Sequence, residues 1–257
     1  MTWSAAMREH LDGRAGQWLV PEWPAPARVR AFVTTRMGGV STGEYASLNL
    51  GVRSGDSAEN VAQNRAIVGQ YLPSDPRWIA QVHGTDVAVI DELPPGAVAT
   101  ADAAVARSAG HVCAVLTADC LPVLFTDDAG ARVAVAHAGW RGMSAGVIES
   151  TLRVLGAPPR EVLAWLGPAI GPEAFEVGVD VFQAFTTRDP GAAAAFTPHG
   201  NGKFMADLYT LARQRLARCG VDRVFGGGLC TLRDEARFFS YRREKRSGRM
   251  GAFIWIG

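Results

Sequence analysis

Short apolar runs of strand length alternate with segments of helical period along most of the chain. "VRAFVTTR" (29–36), "RWIAQVHG" (77–84), "DVAVID" (86–91), "HVCAVLTADC" (111–120), "LPVLFTD" (121–127), "ARVAVAHAG" (131–139) and "EVLAWLG" (161–167) read as strands, and "RVFGGGLC", "FFSYRR" and "GAFIWIG" extend the set to the C-terminus. "GDSAENVAQNRAIVGQYL" (55–72) reads as a helix that Asp56 or Ser57 can cap, with Glu59 in its first turn and Val61, Ala62, Ile67 and Val68 in helical period. "RGMSAGVIESTLRVLG" (141–156) predicts a helix closed by Gly156, and 204–220 another ended by Gly220. "VGVDVFQAFTTR" reads mostly as helix, and "GAAAAF" with "PHGNGK" marks a surface excursion. No repeat, low-complexity tract or linker interrupts the alternation, so the pattern predicts one mixed α/β (α+β) domain over 1–257.

Two runs break their own pattern. "AVLTADCLPVLF" places Asp119, Cys120 and Pro122 inside an apolar stretch, and "RVAVAH" ends on His137. His83, Cys120 and His137 each stand where such a run ends or breaks, beside Gly84, Pro122 or Gly139. Val133, Val135 and His137 share one face by period two, so the imidazole continues a buried face and needs a partner. Two imidazoles and a thiolate are a donor set that zinc accepts, with a fourth position left open. Their separations, 37 and then 17 positions, match no zinc-finger spacing. The residues alone therefore leave two readings: an open metal site, or two satisfied core histidines and a small buried thiol. Adjacent strand residues point to opposite faces, so Asp119 is read as orienting a neighbouring group rather than as a ligand. His111 and Cys113 are the nearest candidates for a fourth ligand, with Cys113 expected on the opposite face. His10 and His199 read as bystanders.

Composition narrows the classes. The 257 residues carry 26 basic against 25 acidic side chains, so no whole-protein field argues for nucleic acid or a membrane surface. The four cysteines (113, 120, 219 and 230) form no CxxC pair, which fits a reducing, cytoplasmic setting. The first twenty residues show no signal-peptide core, and no run approaches the ~18 apolar residues of a membrane span. GxGxxG and P-loop motifs are absent. Arg36 ahead of two glycines, the Gly139–Arg141–Gly142 junction and the basic tail "YRREKRSGRMG" suit either an anion site or ordinary turns and a solvated hairpin.

Six ordered blocks then resemble a known family. "TTRMGGVSTGEYASLNLG", "QVHGTDV", "LTADCLPV", "VAVAHAGWRG", "LGPAIGPEAFEVG" and "FFSYRREKRSGRMGAFIW" look like those of the YfiH/laccase-domain family, from about Phe32 to the C-terminus, with 1–28 as an N-terminal extension outside them. The family is variously called multicopper polyphenol oxidase, purine nucleoside phosphorylase and peptidoglycan editing factor. The resemblance implies an α-β-β-α layered sandwich with mixed sheets and a zinc ion on His83, Cys120 and His137. It implies phosphorolysis of adenosine, inosine and methylthioadenosine, and deamination of adenosine, with purine nucleoside and phosphate as small-molecule partners and neither nucleic acid nor membrane among them. Arg36, Asn49, Gly139, Arg141 and Arg242 or Arg243 become candidates for binding phosphate or substrate. Glu176 of "FEVG" joins the three metal residues as a candidate catalytic group, and Asp119 is a second conceivable carboxylate for moving protons. An editing hydrolase acting on a peptidoglycan precursor would use the same open zinc, and a non-catalytic zinc module would need a fourth protein ligand. A copper polyphenol oxidase is disfavoured, because the chain has five histidines and no HxH pair. Cys230, in the family-like "GGLCTL", is read only as a buried thiol.

Overall fold

A computed structural model of the chain describes residues 3–11 and 17–257, with side chains from Met7 onward. Residues 1–2 and 12–16, part of the stretch read for a targeting signal, lie outside the described residues. In chain order the elements are α1 (Trp3–His10), β1 (Val29–Val33), α2 (Ala58–Gly69), β2 (Val87–Val89), β3 (Ala103–Ala106), β4 (Cys113–Thr117), β5 (Leu121–Asp127) and β6 (Val133–Ala138). There follow α3 (Trp140–Ala145), α4 (Val147–Leu155), β7 (Val162–Leu166), β8 (Glu176–Val177), α5 (Val179–Thr186), β9 (Phe196–Pro198), β10 (Phe204–Ala206), α6 (Leu208–Arg218), β11 (Arg223–Gly226) and β12 (Met250–Ile256).

The strands form an antiparallel sheet β1-β12-β4, a mixed six-stranded sheet β11-β7-β5-β6-β3-β2, and a small sheet β8-β10-β9. β5, β6 and β12 are buried along their whole length, as expected of strands covered on both faces. One core lies between the first two sheets, where Leu124, Val133, Val135 and Leu163 meet Val115, Ala252 and Ile254. The other lies between the six-stranded sheet and the helices, through Ala134, Ala136, Ile148, Leu155, Leu211 and Leu216. Val68 of α2 joins the first core, which completes an α-β-β-α order of layers. Met7 and Leu11 are buried in that core too, and Trp18 stacks on Phe32 with ring centroids 5.0 Å apart.

Several predicted elements change on folding. The 77–84 run makes only the isolated bridges Arg77–Cys113 and Ala80–Thr100, and 238–243 is irregular chain running into a turn at 241–243 rather than strand. The expected helix over 141–156 is two helices, because Gly146 adopts φ 111° and closes α3 with a left-handed turn. The 204–220 segment starts as β10, and Asp207 caps α6 by accepting from the Tyr209 and Thr210 amides. Ser57 caps α2 without a side-chain bond, while Asp56 accepts from Ser41, Asn49 and the Ser57 amide. β3 falls outside the predicted strands, since its alanines carry little strand signal.

Candidate metal centre

The residues Ala118–Cys120 carry the chain from β4 in one sheet to β5 in the other, and that crossing explains the polar break in the apolar run. Asp119 turns there with φ 86°, a left-handed conformation in which Asp is enriched. Pro122 follows as the second residue of β5, where its missing N–H falls at the start of the strand. It stands in register opposite His137, near the end of β6. His83 occupies the 83–84 turn with φ 60°. The donor atoms of His83, Cys120 and His137 all lie within 4.8 Å of one another, the one such cluster of three among the described residues. His83 Nε2 is 3.9 Å from Cys120 Sγ, and the two imidazole centroids are 4.8 Å apart with planes at 70°. Gly139 closes the group: a Cβ there would stand 2.8 Å from Cys120 Sγ and 3.1 Å from a ring carbon of His83.

Sequence reasoning missed Asp102. Its carboxylate is fully buried, accepts from His137 Nδ1 at 2.8 Å, and also accepts from the amides of Val82, His83 and Gly84. Burial would raise this carboxyl, but the bonds from His137, Gly84 and Val82 hold it below the ordinary carboxylate range. The signal available in sequence was weak: an acidic residue opening an alanine run, with partners 18 to 35 positions away. With Nδ1 taken, His137 presents Nε2 to the cluster. Burial would also raise the Cys120 thiol, yet the charge of His137 and hydrogen bonds from both histidines bring it down to about 6. Burial lowers His137, and the Cys120 thiolate and Asp102 outweigh it, raising the imidazole to about 9. These opposed shifts favour a thiolate beside an imidazolium at neutral pH, and a divalent cation can take the place of the imidazolium proton. The soft thiolate with two imidazoles fits zinc, with the side toward the cavity open.

That cavity has a volume of about 810 Å³ and is lined by all three cluster residues. Its walls include Trp78, Leu116, Trp140, Phe175 and Tyr241, and six cations: Arg53, Arg65, Arg141, Arg242, Lys245 and Arg249. None of the six takes part in an ion pair among the described residues. Asp119 is the one carboxylate in the lining, and its oxygens already accept from Thr231 Oγ1, Ser240 Oγ and the Arg242 amide. With Ile170 N donating to its carbonyl, Asp119 ties two later loops, β7–β8 and β11–β12, to the crossing, the orienting part expected of it.

The remaining candidates divide by position. Gly139, Arg141 and Arg242 stand at the cluster or the cavity. Arg36 does not: its guanidinium donates to the carbonyls of Ala46 and Glu235 and lies over the Phe239 ring, so it braces two loops. Asn49 is buried and binds Ser54, Asp56 and the Gly51 and Arg249 amides. Arg243 donates to the carbonyls of Thr231, Leu232 and Phe238. The Glu176 carboxylate lies outside the lining, 3.6 Å from His199; only its carbonyl is linked to the site, through Arg242. In each of these four the polar group is already committed to the fold or faces another surface. Sequence reasoning passed over Arg53 and Arg65, and placed Lys245 and Arg249 only within a basic tail. Cys230, read as a buried thiol, is only partly buried; it packs against Gly171, whose amide donates to its sulfur at 3.2 Å. Cys113 is buried on β4, and His111 sits 3.9 Å from Asp91, so neither joins the cluster.

The chain is similar to several known proteins over most of its length. The family model described as multi-copper polyphenol oxidoreductase laccase matches residues 30–257. A purine nucleoside phosphorylase of Pseudomonas aeruginosa is 53% identical over 240 residues, spanning 93% of this chain and 98% of its own. The purine nucleoside phosphorylase YfiH of Escherichia coli is likewise 53% identical, with the same coverage. A solved Neisseria meningitidis protein superposes with a TM-score of 0.90 at 52% identity, over 93% of this chain and 99% of its own. The Bacillus licheniformis YfiH structure gives 0.86 at 28% identity, over 96% and 98%.

Proposed function

The chain belongs to the YfiH/laccase-domain family, and on that premise we propose that it is a cytoplasmic, zinc-dependent purine nucleoside phosphorylase that also deaminates adenosine. The observation that carries the reading is the opening of the His83–Cys120–His137 cluster onto a cavity whose six cations lack ion pairs. Cations without a carboxylate partner, converging on a concave, partly apolar space, suit an anionic co-substrate beside an aromatic one, although Arg65, Arg242 and Arg249 each also donate to a backbone carbonyl. A zinc ion held by the cluster would supply a Lewis acid and bring the pKa of water down to about 7. Arg141 and Arg242 hold phosphate near the cluster, and Trp140, Phe175 and Tyr241 wall the space for the nucleoside. Gly139 lets the turn after β6 approach the thiolate without a side chain between them. Asp119, with both oxygens already accepting, orients the Arg242 loop rather than moving protons.

A second reading has one observation of its own. Six cations exceed what a single phosphate needs, and the excess suits a phosphorylated peptidoglycan precursor in an editing reaction. A polyphenol oxidase has less support: the other histidines stand apart, His111 beside Asp91, His199 beside Glu176 and His10 on the Tyr71 carbonyl, so donors for several copper ions are not assembled. The test is a panel of adenosine, inosine and methylthioadenosine with and without inorganic phosphate. Release of free base that requires phosphate supports the proposal. Release that ignores phosphate, or none from the zinc-loaded protein, contradicts it and turns the choice to the precursor reading.

A further inference from the structure

The three donors come from separate parts of the chain, and one buried carboxylate touches two of those parts. We infer that Asp102 is a positioning residue that holds His83 and His137 as one preset pair of metal donors, so that the centre has its geometry before an ion arrives. The inference rests on the metal reading of the cluster and not on the nucleoside reading.

A carboxylate offers about four acceptor positions, two per oxygen, and Asp102 uses all of them. Oδ1 accepts from His137 Nδ1 at 2.8 Å and from the His83 amide at 2.9 Å. Oδ2 accepts from the Gly84 amide at 2.6 Å and the Val82 amide at 3.1 Å. The backbone of Asp102 is fixed as well, its amide donating to Asp86 O at 3.0 Å and its carbonyl accepting from the His137 amide at 2.7 Å. A fully buried group held at this many points has no room to swing.

Two consequences reach the donors. The bond to Nδ1 keeps that nitrogen protonated and leaves Nε2 of His137 for the metal, which a free imidazole would satisfy in only one of its two tautomers. The three consecutive amides hold His83 at φ 60°, a left-handed conformation uncommon for a residue with a Cβ. Without an acceptor beneath it the 82–84 turn would relax toward ordinary backbone angles, and the His83 ring would leave Cys120. Asn at position 102 keeps the size but replaces one acceptor oxygen by an NH₂ group facing donors, so it breaks the bond set without opening a cavity.

The probe is zinc ion alone, titrated into metal-free protein against a chromophoric chelator. Asp102→Asn is expected to bind zinc about 10–100-fold more weakly than the unaltered chain, the loss usual when support behind a liganding histidine is removed. In the zinc-loaded unaltered chain the His137 Nδ1–H resonance should exchange slowly, and in the variant it should be lost; a role confined to stability would move neither. A second measurement needs no variant: amide exchange at Val82–Gly84 in the metal-free, unaltered chain should already be slow. Zinc affinity within threefold of the unaltered chain in a folded Asp102→Asn protein would overturn the inference. So would 82–84 amides that exchange freely until zinc is added, which decides the matter if the variant does not fold. Neither readout uses turnover, so absence of nucleoside phosphorolysis would leave the inference standing, whereas failure of the unaltered chain to bind zinc would sink it together with the metal reading.

Discussion

Gly139→Ala places one methyl group against the metal centre and changes little else. The residue has φ −64° and ψ 157°, which alanine adopts without strain, so the cost lies in the space around the new Cβ. That atom would stand 2.8 Å from Cys120 Sγ and 3.1 Å from the His83 ring. Non-bonded heavy atoms settle at about 3.5–4.0 Å, so the thiolate must retreat by roughly 1 Å or the turn must shift by as much. Metal–ligand distances tolerate only about ±0.2 Å, several times less than that displacement. We expect zinc affinity to fall at least 10–100-fold, about 1.4–2.8 kcal/mol. Relief of the overlap by movement of the turn should cost about 1–3 kcal/mol in the metal-free state, a few degrees of Tm in a chain of this size. The assay is zinc competition against a chelating dye, with thermal unfolding in excess chelator as the control. An alanine variant that binds zinc within threefold of the unaltered chain would refute the reasoning, because Gly139 would then not confine the thiolate.

Other outcomes follow from the same geometry. Cys120→Ser should lose its zinc by elemental analysis while keeping its circular dichroism spectrum; full zinc occupancy in that variant would remove Cys120 from the ligand set. With the Cys120 thiol lowered to about 6 and His137 raised to about 9, zinc binding between those pH values displaces the His137 proton. Affinity should therefore rise about tenfold per pH unit up to about 9, and fall more steeply below about 6 as the thiolate also takes a proton, with calorimetry in buffers of different ionisation enthalpy reporting the released protons. Arg141→Ala should raise the phosphate KM about 10–100-fold with a smaller effect on nucleoside KM, the loss of a charge-assisted hydrogen bond. Arg36→Ala should leave the phosphate KM unchanged and lower stability by about 1–2 kcal/mol, because its bonds go to the Ala46 and Glu235 carbonyls; a phosphate effect there would reopen its place at the anion site.

What sequence reasoning reached depended on whether the cause was local. Cys120 and His137 stood out because each interrupts an apolar run, and a buried strand carries such residues only where something satisfies them. Asp102 gave no such sign: its partners lie at 82–84 and 137, and the need for a carboxylate exists only once those segments meet. The same limit explains the arginines. Arg36, ahead of two glycines, and Arg243, in a basic tail, look like phosphate ligands, yet folding turns both away from the cavity onto backbone carbonyls, while Arg65, on a helix face with no motif, lines the cavity, donating to the Leu50 carbonyl and stacking 3.9 Å over Trp78. Apolar runs without a pairing partner misled in another way. The 77–84 and 238–243 segments have strand composition, but strands are made by their neighbours, and these segments serve as loops that carry His83, Tyr241 and Arg242.

The most direct test of the account is a measurement of two rates on one preparation. Zinc is quantified per chain, and phosphate-dependent release of adenine and conversion of adenosine to inosine are measured before chelation, after it, and after zinc is added back. The account predicts one zinc per chain and a nearly complete loss of deamination on chelation, because water unassisted by a metal supplies too little hydroxide at neutral pH. Phosphorolysis, which draws its nucleophile from phosphate, should fall less, and both rates should return with zinc. Rates that persist unchanged without the metal would contradict the claim that His83, Cys120 and His137 form the working centre, and equal loss of both would contradict the division of labour between metal and cations.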